Sequence, residues 1–137
     1  MVTNVAIIGK GMIGISLAVL FTGNGIPTTV LAKNSAIGLE KYRTYYKDLI
    51  SQGLVTEKQA AACEKRLSFT EDYAELSDIE VVFECVTEKL DDKYEVYQKI
   101  EANCPHLKAI ASTTSAISPV DLAKGMAQCE KIMVAHP

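Results

Sequence analysis

Apolar residues fall in short blocks between longer stretches of mixed character. Val5-Ala6-Ile7-Ile8 is an unbroken apolar run. Gly9-Lys10-Gly11-Met12-Ile13-Gly14 follows, and then a second apolar stretch from Ile15 to Phe21. The first run reads as a buried strand and the second as a helix from about Met12 to Thr22, apolar almost all round and so buried on several sides. Gly23-Asn24-Gly25 stops that helix and Pro27 forbids its continuation. Thr28 to Ala32 is β-branched and apolar, which predicts a second strand.

Ala36 to Gln52 is expected to be helical, with Ser35 as N-cap and Gly53 as the stop. Its Tyr42, Tyr45 and Tyr46 share one side and suit core or interface contact. Thr56 and Gln59 have capping-box spacing and open a helix to about Arg66. Leu67 to Phe69 is a short strand. Ile79 to Val86 is nearly continuous apolar, as in a central parallel strand. Asp91 to Asn103 is amphipathic, with Tyr94, Val96, Tyr97 and Ile100 inward. Leu107 to Ala111 is the next strand. Ser118 caps a helix with Pro119 at its first position, and Lys131 to Ala135 is a last strand. The alternation predicts an α/β fold, a Rossmann-type doubly wound, mostly parallel sheet with helices on both faces, in one domain over 1–137.

Three glycines then acquire chemical meaning. G-x-G-x-x-G between a strand and a helix is where a nucleotide pyrophosphate sits, because the first helical N–H groups are unpaired and the helix dipole favours an anion. Gly9 makes the turn, Gly11 admits the phosphates, and Gly14 lets helix and strand pack closely; Met12 and Ile13 complete the loop. The second strand ends without the acidic residue that usually bonds the ribose hydroxyls. Ala32 and Lys33-Asn34-Ser35 stand there instead, which favours NADP over NAD on chemistry alone.

Composition narrows the partners. The chain has 137 residues, 48% of them hydrophobic, and a net charge of −3 from 14 basic and 17 acidic residues. These charges are interspersed with no basic stripe, which speaks against nucleic acid. No stretch has transmembrane length and no signal peptide is visible, so a cytoplasmic protein with no membrane contact is expected. The cysteines Cys63, Cys85, Cys104 and Cys129 match neither a metal pattern nor a redox pair, so no metal is expected.

Polar residues that a core does not need stand at three later strand ends: Thr87-Glu88-Lys89, Ser112-Thr113-Thr114-Ser115, and His136. In an open α/β sheet these ends line one crevice beside the glycine turn. A histidine there can accept a proton and a serine can orient a substrate oxygen, while a nicotinamide takes the hydride of a secondary alcohol.

With these motifs in order, the chain resembles the N-terminal nucleotide-binding domain of the L-3-hydroxyacyl-CoA dehydrogenase family. The glycine loop, Glu84-Cys85-Val86-Thr87-Glu88-Lys89-Leu90 with Lys93, Ser112-Thr113-Thr114-Ser115, and His136-Pro137 correspond to its successive motifs. The resemblance implies that Glu88 and Lys93 lie near the cofactor, NAD or NADP. It implies that Ser115 contacts the substrate oxygen and that His136 is the general base. It further implies a small-molecule substrate, an acyl-CoA, and a homodimeric parent enzyme with a helical C-terminal domain beyond these residues. The His-Pro pair also resembles relatives that oxidise carnitine, gulonate or 3-hydroxybutyryl-CoA.

Three departures qualify this. Ala32 replaces the ribose-binding Asp, Thr113 replaces an Asn, and the carboxylate that orients the histidine is not among these residues. The piece alone is therefore expected to be inactive. A non-catalytic module that senses the nucleotide pool is the alternative of a different class.

Overall fold

A computed structural model describes residues 2–137. Its strands are β1 (Val5–Ile8), β2 (Thr28–Leu31), β3 (Leu67–Thr70), β4 (Val81–Glu84), β5 (Ala109–Ser112) and β6 (Ile132–Val134). Its helices are α1 (Met12–Gly23), α2 (Ser35–Ser51), α3 (Glu57–Glu64), α4 (Leu90–Asn103) and α5 (Pro119–Ala123). The strands form one sheet in the order β3-β2-β1-β4-β5-β6, and every pairing is parallel. The fold is the expected doubly wound α/β sheet, and it is wholly parallel.

Alternation along β1 divides the core. Ile7 faces α1, α2 and α3, together with Ile15, Val30, Tyr42 and Tyr46. Ala6 and Ile8 face the opposite side with Val82, Tyr97, Ile100, Ile110 and Leu122, under α4 and α5. All four residues of β1 are buried, which is why this segment carries no polar residue. The order reverses between β1 and β4. The chain first winds outward through β2 and β3, then crosses back to β4, which opens a crevice at the carboxyl ends of the central strands.

Several boundaries differ from expectation. The β4 strand begins two residues later than the apolar run because Ile79 closes a turn, its N–H donating to the Leu76 carbonyl at 3.0 Å. The β5 strand also starts late, because the Leu107 N–H bonds the Cys104 carbonyl at 3.1 Å in a turn. Ser35 is not an N-cap. It is the first residue of α2, and Asn34 occupies the cap position with φ 58° and no side-chain bond to the helix. Asn tolerates this left-handed backbone at low cost. The Thr56–Gln59 capping box and the Ser118 cap form as read. Helix α1 is buried at Ile15, Leu17 and Ala18 but leaves Met12 and Leu20 exposed. Tyr42 and Tyr46 join the core, while Tyr45 is half-buried against Ser16, with their hydroxyl oxygens 2.8 Å apart. No helix among the described residues is long and apolar enough to cross a membrane.

Candidate active site

The crevice is bounded on one side by the β1–α1 turn. Gly9 has φ +112°, and a Cβ there would lie 2.7 Å from the Cys85 carbonyl oxygen. A Cβ on Gly14 would lie 2.4 Å from the Gly9 carbonyl oxygen. Both glycines are therefore demanded by backbone meeting backbone. Gly11 is different. Its backbone is extended and a Cβ there would meet nothing within 4 Å.

Helix α1 has no side-chain cap and no acid in its first turn. Its first internal bond runs from the Ile15 N–H to the Gly11 carbonyl. The N–H groups of Met12, Ile13 and Gly14 thus have no acceptor within the helix, and the helix dipole adds positive potential there. Gly11 to Gly14 line a cleft of about 290 Å³.

Residues from β4, α4 and β5 close the other side. Glu84, Lys93, Tyr97 and Ser112 are all buried. The Lys93 ammonium donates to both Glu84 oxygens, at 2.8 and 3.0 Å. Tyr97 Oη donates to Glu84 Oε2 at 2.9 Å and Ser112 Oγ donates to the same oxygen at 2.6 Å. The Val86 N–H donates to Glu84 Oε1 at 2.9 Å. One buried carboxylate therefore ties β4, α4 and β5 together. Burial, and then the charge of Glu84, pushes the Tyr97 hydroxyl pKa up, so it stays a proton donor to this cluster.

Lys93 also reaches the cleft, where its ammonium lies 3.2 Å from Glu88 Oε2. The other Glu88 oxygen accepts from Thr114 Oγ1 at 2.6 Å and from the Ser115 N–H at 2.9 Å. These bonds, that from Thr114 foremost, hold the Glu88 pKa down at about 2 against partial desolvation. Because the folded value is depressed, the contribution of this carboxylate is fully present above the ordinary glutamate value of about 4.3. It is lost as pH falls from there through about 2. An NMR titration of the Glu88 side-chain carboxyl is expected to show a midpoint near 2 that rises in Thr114→Val. A midpoint at the ordinary value would mean that this anchor does not form.

The cleft brings together Gly11, Met12, Ile13, Gly14, Glu88, Lys93, Ser115 and His136. Gly9 lies behind it as the turn. Ala32 and Lys33 lie apart, at the end of β2, and Lys33 lines a neighbouring cavity with Gly11. Cys85 lines the cleft rather than the deep core; burial pushes its pKa up to about 11, so it is a thiol and not a nucleophilic thiolate. Glu84 was not singled out by sequence reasoning. The available signal was its parity with Val82, which places both on the inward face of β4.

The profile of the family "3-hydroxyacyl-CoA dehydrogenase, NAD binding domain" matches residues 4–137. The chain belongs to this family. Members similar to it include the 3-hydroxybutyryl-CoA dehydrogenase of Mycobacterium tuberculosis, 27% identical, covering 98% of this chain and 49% of that one. The L-carnitine dehydrogenase of Mesorhizobium japonicum is 28% identical over 99% of this chain and 38% of its own length. Among solved structures, M. tuberculosis FadB2 superposes with a TM-score of 0.93 at 26% identity, over 98% of this chain and 49% of that chain. The chain thus spans less than half the length of these relatives. Within the family's nucleotide-binding domain, the unpaired N–H groups of α1 and the open space at Gly11 fit a dinucleotide pyrophosphate.

Proposed function

We propose that this chain is the cofactor half of an oxidoreductase that interconverts a 3-hydroxyacyl substrate and its 3-keto form. The observation that carries this reading is the helix start without acceptors facing Glu88, Ser115 and His136 across one cleft. The cofactor, when bound, accepts a hydride at its nicotinamide ring. The chain's own residues do the rest. The Met12, Ile13 and Gly14 N–H groups hold the pyrophosphate. Glu88 fixes the Ser115 backbone, and so presents the Ser115 hydroxyl to the substrate oxygen. His136 takes the proton from that oxygen as the hydride leaves the carbon, so charge and protons balance. Acyl-CoA thioesters are the favoured substrate class, on the similarity to a 3-hydroxybutyryl-CoA dehydrogenase. The helical, dimer-forming domain implied by the sequence resemblance is part of the same proposal.

Fluorescence titration of the chain with reduced dinucleotide is expected to give saturable binding with little turnover. In the full-length parent protein, His136→Ala is expected to lower kcat on 3-hydroxybutyryl-CoA by about 100-fold or more, the scale of a lost general base, with dinucleotide affinity unchanged. No saturable binding, or undiminished turnover by the variant, would overturn the proposal.

A further inference from the structure

The end of β2 carries positive charge that the fold does not use. Three lysines meet there: Lys10 from the glycine turn, Lys33 from the β2–α2 turn and Lys41 from α2. The Lys10 ammonium reaches the Lys33 carbonyl, and the Lys41 ammonium lies 3.4 Å from the Lys10 carbonyl. The two side chains therefore cross between the glycine turn and the strand end. Among the described residues, Lys93, Lys99, Lys108 and Lys124 are ion-paired, while Lys10, Lys33 and Lys41, like Lys47, Lys58, Lys65, Lys89 and Lys131, have no carboxylate partner; what sets the three apart is their place beside the glycine turn. Carboxylates stand close by: Asp92 and Glu95 line the cavity that Lys33 shares with Gly11 but are bonded to Thr87 and Lys99, and Glu71 lies at the strand edge. Its Oε1 accepts the Asn34 N–H at 2.8 Å, which holds the turn rather than a lysine.

This is where the adenosine ribose of a dinucleotide lies when its pyrophosphate rests on the glycine turn. The strand end is read by the ribose 2′ substituent: an acid there selects a hydroxyl, and a nearby cation accommodates a phosphate. Ala32 offers no acid and a short side chain, beside the exposed Lys33 and the Lys10 and Lys41 ammonium groups at the glycine turn. Lys33 and Gly11 line one open cavity, so the strand end is continuous with the pyrophosphate position. A ribose hydroxyl can accept one hydrogen bond but neutralises no charge, whereas a 2′-phosphate dianion would be neutralised by these cations.

We propose that Lys10, Lys33 and Lys41 form a 2′-phosphate site and make this domain selective for NADP(H). The inference rests on the dinucleotide reading above and adds Lys10 and Lys41 as specificity-determining residues. The Lys10 and Lys41 ammonium groups can rotate off their carbonyl contacts to the phosphate without disturbing the core, and Lys33 is exposed.

Isothermal titrations of the chain with NADPH, NADH, 2′,5′-ADP and 5′-AMP at low salt test it. NADPH is expected to bind about tenfold tighter than NADH or better, as two or more charge-assisted contacts imply. The advantage is expected to shrink as salt screens it. The fragment 2′,5′-ADP is expected to show the same preference over 5′-AMP, which isolates the strand end from the nicotinamide. Lys10→Ala with Lys41→Ala is expected to erase the preference by weakening NADPH alone, and Ala32→Asp to reverse it. Equal or tighter binding of NADH overturns the 2′-phosphate site and leaves the proposed function standing. Binding of neither dinucleotide overturns both. A preference that survives the double substitution overturns the assignment to these lysines.

Discussion

Glu84→Ala is expected to destabilise the domain by about 3–5 kcal/mol, the range for breaking a buried ion pair by removing one partner. The carboxylate is fully enclosed, and its loss leaves the ammonium of Lys93, itself 1% exposed, with only Glu88 at 3.2 Å. It also leaves Tyr97 Oη and Ser112 Oγ without their acceptor. Lys93→Met is expected to cost less, because Glu84 keeps its bonds from Tyr97, Ser112 and the Val86 N–H. The double change Glu84→Ala with Lys93→Met is expected to cost less than the sum of the two single changes, since it leaves no charge stranded. Urea unfolding of the four proteins closes the cycle. Additive single effects would show that the pair does not act as a unit.

The glycines of the opening turn separate structure from function. Gly14→Ala is expected to abolish dinucleotide binding and to cost the fold about 1–3 kcal/mol, the range for forcing extra atoms into a packed site. The new methyl would sit 2.4 Å from the Gly9 carbonyl oxygen, so α1 cannot keep its place on β1. Gly11→Ala is expected to change stability by less than about 0.5 kcal/mol, as for an exposed substitution. Its backbone is already extended and its surroundings are empty. The same methyl would stand where the pyrophosphate approaches, so affinity is expected to fall about tenfold or more, or 1.4 kcal/mol or more. Calorimetry for binding and thermal melts for stability decide both. A Gly11→Ala protein that binds as before would mean that nothing approaches the backbone there.

Most of the fold was readable because the central strands are short, mostly apolar blocks, with β1 wholly buried. The glycine turn was readable because its three glycines stand in a strand–helix context. Glu84 was not. Within Ile-Glu-Val-Val-Phe-Glu-Cys-Val it reads as an interruption of an apolar strand, and its partner Lys93 was placed only near the cofactor, by family resemblance. Their meeting depends on β4 and α4 packing against each other, which no local periodicity encodes. Lys93, Tyr97 and Ile100 do share one helical face, so the inward set on α4 was recognised except for its charged member. At the β2 end, Ala32 and Lys33 were visible as a departure from the acidic pattern. Lys10 and Lys41 were not, because they arrive from two other segments.

The central position of β1 has a consequence during synthesis. Val5 pairs with Thr28 on one side and with Val81 on the other. No neighbouring strands are joined by a hairpin, since parallel pairs need long crossovers. Until the segment holding Glu84 leaves the ribosome, the nascent chain displays an apolar strand edge with its amides and carbonyls unmatched. Such an edge templates association with other chains. Production of this protein is therefore expected to depend on slow translation or chaperone cover over that interval.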